Sequence, residues 1–526
     1  MRKSGVLKKG IAAFMTVCMV MAAGCGANGN IGKSSSKDAD NGEEVTIRVM
    51  VWDRGNAAPG TTTENNTLTD WIKKQMKDQY NINVEYVSVP RSSSDDKLNI
   101  MMSGGTAPDI VFTYDQSIFY NYASNGGLAD LTEAYNEYGG TIRENLGNIQ
   151  EMGVLDGVQY GIMKERGVES PRHTAYIRKD WLQELGMDIP TTKKELGEYL
   201  TAVKEKNPGA VSDVIPWGMS GRNDTEKGYL NFVGSYVDLE SERDAYIYNE
   251  SYMAVAPGAV DGIRQLNEWY NQGLLSKDFA TDTTEDIYKA QVSAGNVGFV
   301  LDDTSAPWEL TSVLNSNLGH ETFIPIQCFE LEDGSYRTPF EPRFGMFIMV
   351  PKSSEDKVDA CMKYLNWQAD PQIAENIEYS PDHQQDENGV PKALTESELQ
   401  EKGYPGTCAD LCIVTQAFDW TKEKDAVVSN WYKSQSSEWA DEEWFENYYD
   451  VREKGKYVFP TYSYVSSAES DYGSNVKSMM IEYVYKLISC PTEEFEALQQ
   501  TEYNNLVAAG LDKILDARAE YYDSLS

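Results

Sequence analysis

The stretch from Val45 to Tyr114 limits what this chain can fold into more than any other. Three apolar runs, Val45–Trp52 (VTIRVMVW), Ile82–Pro90 (INVEYVSVP) and Pro108–Tyr114 (PDIVFTY), are separated by two amphipathic segments. The first segment carries Leu68, Trp71, Ile72 and Met76 on one helical face, and the second spans Asp95–Met102 before the Gly104-Gly105 turn. Strands alternating with helices at this spacing predict a mostly parallel sheet with right-handed crossovers, an α/β architecture. Roughly 480 residues follow the first 44, too many for a single core, so two or more lobes are expected.

Downstream, Asp156–Leu200 (DGVQYGIMKERGVESPRHTAYIRKDWLQELGMDIPTTKKELGEYL) is the most informative stretch. Asp156-Gly157 reads as a turn, Val158–Met163 as an extended apolar run, and Thr174–Arg178 as a second strand feeding a helix at Lys179–Leu185. Gly186 suits a left-handed C-cap and Pro190 blocks continuation. Thr192 and Glu195 form a capping box ahead of a helix whose stripe is Leu196, Tyr199, Leu200 and Val203. Further strands are expected at Val214–Met219, Asn296–Asp302 and Phe344–Val350, with helices at Gly258–Tyr270 and Glu355–Trp367. No internal repeat is present.

YIRKDWLQELGMDIPTTKKEL resembles a segment of extracellular solute-binding proteins of sugar ABC transporters, family 1, in the LplA-like lipoprotein branch. KLNIMMSGGTAPDIVFTYD, SAGNVGFVLDDTSAPWEL, DENGVPKAL and the tail ending in ILDARAEYYD resemble other parts of that family. The resemblance implies a two-lobed periplasmic-binding-protein-like (type II) fold with hinge crossovers and a helical C-terminal extension. It implies a first lobe of residues 45–165 plus 324–375 and a second of 166–323 plus 376–526. The chain would cross between lobes near YGIMKER, at Phe323–Phe329, and near Tyr379–His383, where YSPDH replaces the family's Gly-rich turn.

The amino terminus reads as an export signal. Arg2, Lys3, Lys8 and Lys9 precede an apolar run ending in Ala22-Ala23-Gly24-Cys25, too short to span a bilayer. Gly24-Cys25 resembles a lipobox, with Ala22 where Leu is usual; residues 1–24 would be removed and Cys25 lipidated. Residues 25–44 have little to bury and read as a flexible tether. The formal charge of −37 argues against nucleic-acid partners and against attraction to anionic lipid headgroups. An odd number of cysteines beyond Cys25 (Cys328, Cys361, Cys408, Cys412 and Cys490) is no disulfide framework, and Cys408-x-x-x-Cys412 lacks further ligands at zinc spacing.

In open α/β sheets ligands bind beyond the carboxyl ends of strands. Here those positions hold Trp52, Asp53 and Arg54; Tyr114 and Asp115; Arg166; Trp217; and Asp302, Asp303 and Trp308. Flat aromatics meet sugar C–H faces, while Asp and Arg pair with vicinal hydroxyls. The resemblance implies the same assignment for the positions after the first and third strands and for the aromatic after SAGNVGF. His383 lies at the expected third crossing and is a further candidate. Trp71, Trp181, Trp269 and Trp367 fall on helical faces and read as core. Lys277–Asp286 lacks EF-hand spacing, so no metal is expected, and no cofactor is implied.

The resemblance implies a lipid-anchored extracellular protein that captures a carbohydrate by lobe closure and passes it to ABC permease subunits. An exported polysaccharide-degrading enzyme is the alternative, though GxSxG, HExxH, P-loop and Rossmann fingerprints are absent. A structural or sensory cell-surface protein is a third reading. Cys25→Ala is expected to release the protein from the membrane fraction or leave it unprocessed. Retention at unchanged mature size would show that Cys25 is no anchor.

Overall fold

The computed structural model describes residues 44–526 except 167–170, 172, 222–228, 304–309, 386, 388, 390, 418–423, 426–427, 429–440 and 526. The expected leader, the Cys25 anchor and Trp308 therefore lie outside the described residues.

The chain opens with β1 (Val45–Asp53), α1 (Thr67–Tyr80), β2 (Ile82–Pro90), α2 (Ser94–Ser103), β3 (Val111–Thr113), α3 (Gln116–Ser124) and β4 (Gly161–Glu165). Next come β5 (His173–Arg178), α4 (Lys179–Leu185), α5 (Lys193–Lys206), β6 (Ile215–Gly218), α6 (Ala259–Asn271), β7 (Val297–Asp303) and β8 (Phe323–Ile326). After β9 (Phe344–Met349) and α7 (Val358–Gln368), the tail is helical: α8 (Glu442–Glu453), α9 (Ser467–Ser489), α10 (Phe495–Ala508) and α11 (Leu511–Ser524).

Local sequence fixes these boundaries. The Asn66 side chain accepts from the amides of Leu68 and Thr69, starting α1. Thr192 and Glu195 form the expected capping box on α5, whose stripe Leu196, Tyr199, Leu200 and Val203 is fully buried. Gly186 closes α4 at φ 66°, ψ 36°, a left-handed conformation that costs glycine nothing. β1 is buried on both faces along most of its length, as a central strand between helical layers must be.

Two cores result. In the first, β1 and β2 pair in parallel from Val45↔Ile82 to Asp53↔Pro90. β3 joins β1 through Met50 N to Ile110 O (2.9 Å) and Ile110 N to Arg48 O (3.0 Å). β9 lies antiparallel between β3 and β4, with Ile348 opposite both Phe112 and Ile162. The strand order is β2-β1-β3-β9-β4. The second sheet runs β8-β5-β7-β6, with β6 and β7 parallel and β5 reversed between its neighbours.

Two stretches pack elsewhere than the sequence suggested. Phe323–Phe329 was expected to cross to the first lobe, but Phe323–Ile326 pairs with β5, and Cys328 and Phe329 stay in the second core. Tyr379–His383 was expected as the third crossing, yet the chain remains on the first core through Tyr404, Cys408 and Leu411–Val414. The reason is a polar clasp: Gln368 donates to Leu411 O and accepts from Ile413 N, and buried Lys164 donates to Cys412 O. The passages between cores thus fall between Met163 and Ala175, between Phe329 and Met346, and between Val414 and Val428. Trp181, Trp269 and Trp367 are buried as expected, and Trp71 is partly buried against the first core.

The tail is locked down by a buried ion pair. Arg518 of α11 donates to both oxygens of Glu469 on α9 (2.9 and 3.2 Å) and to Tyr246 O (2.6 and 3.1 Å). Both side chains are at least nine-tenths buried, so removing one strands the other's charge. Arg518→Met is expected to cost about 3–5 kcal/mol in chemical denaturation. Adding Glu469→Gln should recover part of that loss; no recovery would mean the packing, not the pair, is what matters.

Candidate functional site

β1, β2, β3 and β4 run in one direction, so their carboxyl ends lie on one edge of the first sheet. At that edge Trp52 is the penultimate residue of β1, and Arg91, Tyr114 and Arg166 directly follow β2, β3 and β4. The four side chains meet. Trp52 stacks on Tyr114 (centroids 5.6 Å, planes 24° apart) and meets Phe112 edge-on at 5.1 Å. The Arg91 guanidinium sits 4.4 Å from the Trp52 ring centre and 5.8 Å from that of Tyr114. Arg166 lies 5.1 Å from the Tyr114 ring on its own account.

Gly345, near the start of β9, makes room for this group. A Cβ there would lie 3.0 Å from Arg166 Nε and 3.3 Å from Tyr114 Cε1, tighter than ordinary contact. Arg166 is further held by an ion pair with Glu341 and by its amide donating to Arg343 O (3.1 Å). Burial differs sharply along the stack. Trp52 is 7 % exposed and belongs to the core, whereas Tyr114 is 37 % exposed and offers the accessible ring.

The other first-lobe candidates are engaged within the protein. Asp53 Oδ1 accepts from Gly55 N (2.9 Å) and Thr63 Oγ1 (3.2 Å), and Arg54 makes a two-pronged bond to Asp410 (2.6 and 2.9 Å). Asp115 caps α3, accepting from the amides of Ser117 (2.7 Å) and Ile118 (3.2 Å), and stands 3.7 Å from Lys477 of α9. Burial alone would raise its carboxyl, but Lys477 and the two amides outweigh that and hold it below the usual range. Burial raises neighbouring Asp95, helped by Asp115 and opposed by the Thr113 hydroxyl (2.7 Å) and the charge of Arg91. His383 has Nδ1 on Ser380 O (2.7 Å) and Nε2 on Glu375 (2.9 Å), so both ring nitrogens serve its own turn.

The second sheet carries its own edge feature. Trp217, Asp302 and His173, from β6, β7 and the start of β5, line a cavity of about 40 Å³ with Ser220, Glu285 and Tyr288. This is well below the roughly 300–1,000 Å³ of ligand pockets, so the cavity alone holds no sugar. Trp217 is a core residue, packed edge-on to Phe232 and Phe299, and presents only one margin to the cavity. Asp302 accepts from the Tyr288 hydroxyl, and burial, reinforced by that carboxylate, pushes the phenol far above its ordinary pKa. In the acidic Lys277–Asp286 loop, Asp282 is spent on the amides of Ile287 and Tyr288. Among the described residues no cluster of His, Cys, Asp and Glu is arranged to hold a metal.

Arg91, Gly345, Glu341 and Asp410 were missed from sequence. Arg91 was within reach of the same reasoning that selected Tyr114, since each is the first residue past a strand. The partners Glu341 and Asp410 lie 175 and 356 residues from the arginines they neutralise and carry no local signal.

Two α/β cores, each turning aromatic and charged groups to a sheet edge and joined by several chain passages, define a two-lobed substrate-binding protein. A family model described as bacterial extracellular solute-binding protein matches residues 59–375, and the chain belongs to that family. Lipoprotein LipO of Bacillus subtilis (strain 168) is 26 % identical over 358 residues, 65 % of each chain. The polygalacturonan/rhamnogalacturonan-binding protein YtcQ of the same strain is 26 % identical over 235 residues, 43 % of this chain and 45 % of that one. The matched stretches therefore span less than two-thirds of these relatives' lengths. Among solved structures, the calcium-free alginate-binding protein AlgQ2 aligns with a TM-score of 0.67 at 16 % identity. That alignment covers 91 % of this chain and 98 % of AlgQ2, a likeness of fold.

The burial contrast within the stack is testable. Trp52→Ala is expected to lower unfolding free energy by about 3–5 kcal/mol, and Tyr114→Ala by about 1 kcal/mol or less. Equal losses in urea denaturation would show that both rings serve the core alike.

Proposed function

We propose that this protein binds a carbohydrate between its lobes, outside the cell, and delivers it to the permease of an ABC transporter. The observation that carries this reading is the first-lobe edge, where an exposed Tyr114 ring stands beside two arginine guanidiniums. An aromatic face with guanidinium forks beside it suits a sugar ring and its hydroxyls. LipO is named a lipoprotein, and YtcQ and AlgQ2 are named for binding polysaccharides, which supports the same reading.

In this account the first lobe comprises residues 45–165 and about 344–414, and the second comprises residues 173–329 and the helical tail. Residues 1–24 form the export signal and Cys25 the lipid anchor. Among the described residues no helix is long and apolar enough to cross a membrane. Ligand acts by bridging: it touches both lobes only when they close, so its binding energy favours the closed state. The protein is a carrier and not an enzyme.

Solution scattering and thermal shift against a panel of oligosaccharides test this together. A cognate sugar should compact the molecule, and at a hundred times its Kd should add about 2.7 kcal/mol of stability. The sugar should be recovered intact. Product in excess of protein would place the chain among polysaccharide-degrading enzymes, and no stabilisation by any sugar would remove the carbohydrate reading.

A further inference from the structure

The arginines at the first-lobe edge are not equivalent. Arg54 is paired with Asp410, Arg166 with Glu341, and Arg343 with Glu165 at 2.9 Å. Arg91 has no carboxylate within 4.0 Å among the described residues, and its Nε makes no hydrogen bond. Asp95, in the first turn of the following helix, feels its charge without bonding to it. In a chain with 83 acidic and 46 basic residues, acids are never scarce, so an arginine left without one is informative.

The unmet hydrogen-bonding capacity around Arg91 is all of one kind. Trp52 Nε1, Arg91 Nε and Arg166 Nε are each buried without a partner. Trp52 itself is more than nine-tenths buried. All three are donors, and indole and guanidinium nitrogens cannot accept. A neutral sugar brings hydroxyls that both donate and accept, and none of these three atoms can answer the donating half. A carboxylate brings acceptors only, in the planar two-oxygen geometry that matches a guanidinium fork. The net charge of −37 would repel an acidic oligosaccharide at a distance, so a local unneutralised cation is what such a ligand requires.

We propose that the first-lobe edge selects a sugar bearing a carboxylate, a uronic-acid residue, with Arg91 as the residue that reads its charge and Tyr114 as the face its ring rests on. This rests on the carbohydrate-binding reading above and narrows its ligand class. Arg166, already paired with Glu341, orients the stack instead of supplying net charge.

Calorimetry with the full mature chain tests it, using trigalacturonate, trimannuronate, methyl-esterified trigalacturonate and neutral maltotriose. One of the two acids should bind at least about tenfold tighter than the ester or maltotriose, and which acid it is identifies the uronate. Arg91→Gln should weaken the acid by about tenfold or more and the ester by less than about twofold. Arg91→Lys should recover part of the acid affinity, because it restores charge without the fork. Thermal melting of both variants separates a binding loss from misfolding. Acid and ester binding equally, or weakened equally by Arg91→Gln, overturns the carboxylate proposal. Tight maltotriose binding with indifference to acid overturns it while sparing the carbohydrate reading. Binding of none of the four, alongside no response to any other sugar, overturns both.

Discussion

Everything in the first lobe depends on one strand that arrives late. β9 supplies the ladder between β3 and β4, and without Phe344–Met349 the sheet would fall into two unconnected pieces. That strand becomes available only after the chain has left, built most of a second core, and returned. Each lobe is therefore discontinuous in sequence, and the passages between them are several backbone spans instead of one loose linker. The two cores are thus tied together at three places in the chain. The helical tail adds a further restraint: Lys477 of α9 stands by Asp115, and Gln116 Nε2 donates to Tyr462 O at 2.7 Å. That ion pair, about a quarter exposed on each side and 3.7 Å apart, contributes about 1 kcal/mol or less.

The same topology decides which side chains are available to a ligand. Parallel strands deliver their following residues to one edge, and there the residue types sort by what each touches. Asp53 and Asp115 turn back onto nearby amides, Arg54 finds Asp410, and Trp52 disappears beneath its neighbours. Tyr114 and the guanidinium beside it are left over. Gly345 governs this outcome from the opposing strand, because any side chain there would press on Arg166 and Tyr114 together.

The alternation of strands and helices, the caps at Thr192 and Gly186, and the core stripe of α5 were legible in sequence because their causes are local. The edge rule also placed Trp52, Tyr114 and Arg166 in one neighbourhood. What could not be read was which of them would be covered. Trp52 looked like a platform because polar Asp53-Arg54 follows it, but Phe112 and Arg91 come from other strands and enclose it. His383 was a candidate only from its place at the expected crossing, and Glu375, eight residues earlier, holds its ring. The late passage between cores was missed because the Gln368 clasp on Leu411 and Ile413 joins side chain to distant backbone. Pairings across 40 or 350 residues leave no periodicity to detect.

The five described cysteines carry a last consequence. All are free and buried, and burial pushes the thiol of Cys408 up to about 12 and those of Cys328, Cys361 and Cys412 higher still. A thiol held so far from ionising forms almost no thiolate, the species that attacks oxidants and disulfides. No cross-link among these residues contributes to the native state, whose stability comes from packing and hydrogen bonding. Among the described residues the fold therefore holds no disulfide, and these five buried thiols are poor nucleophiles.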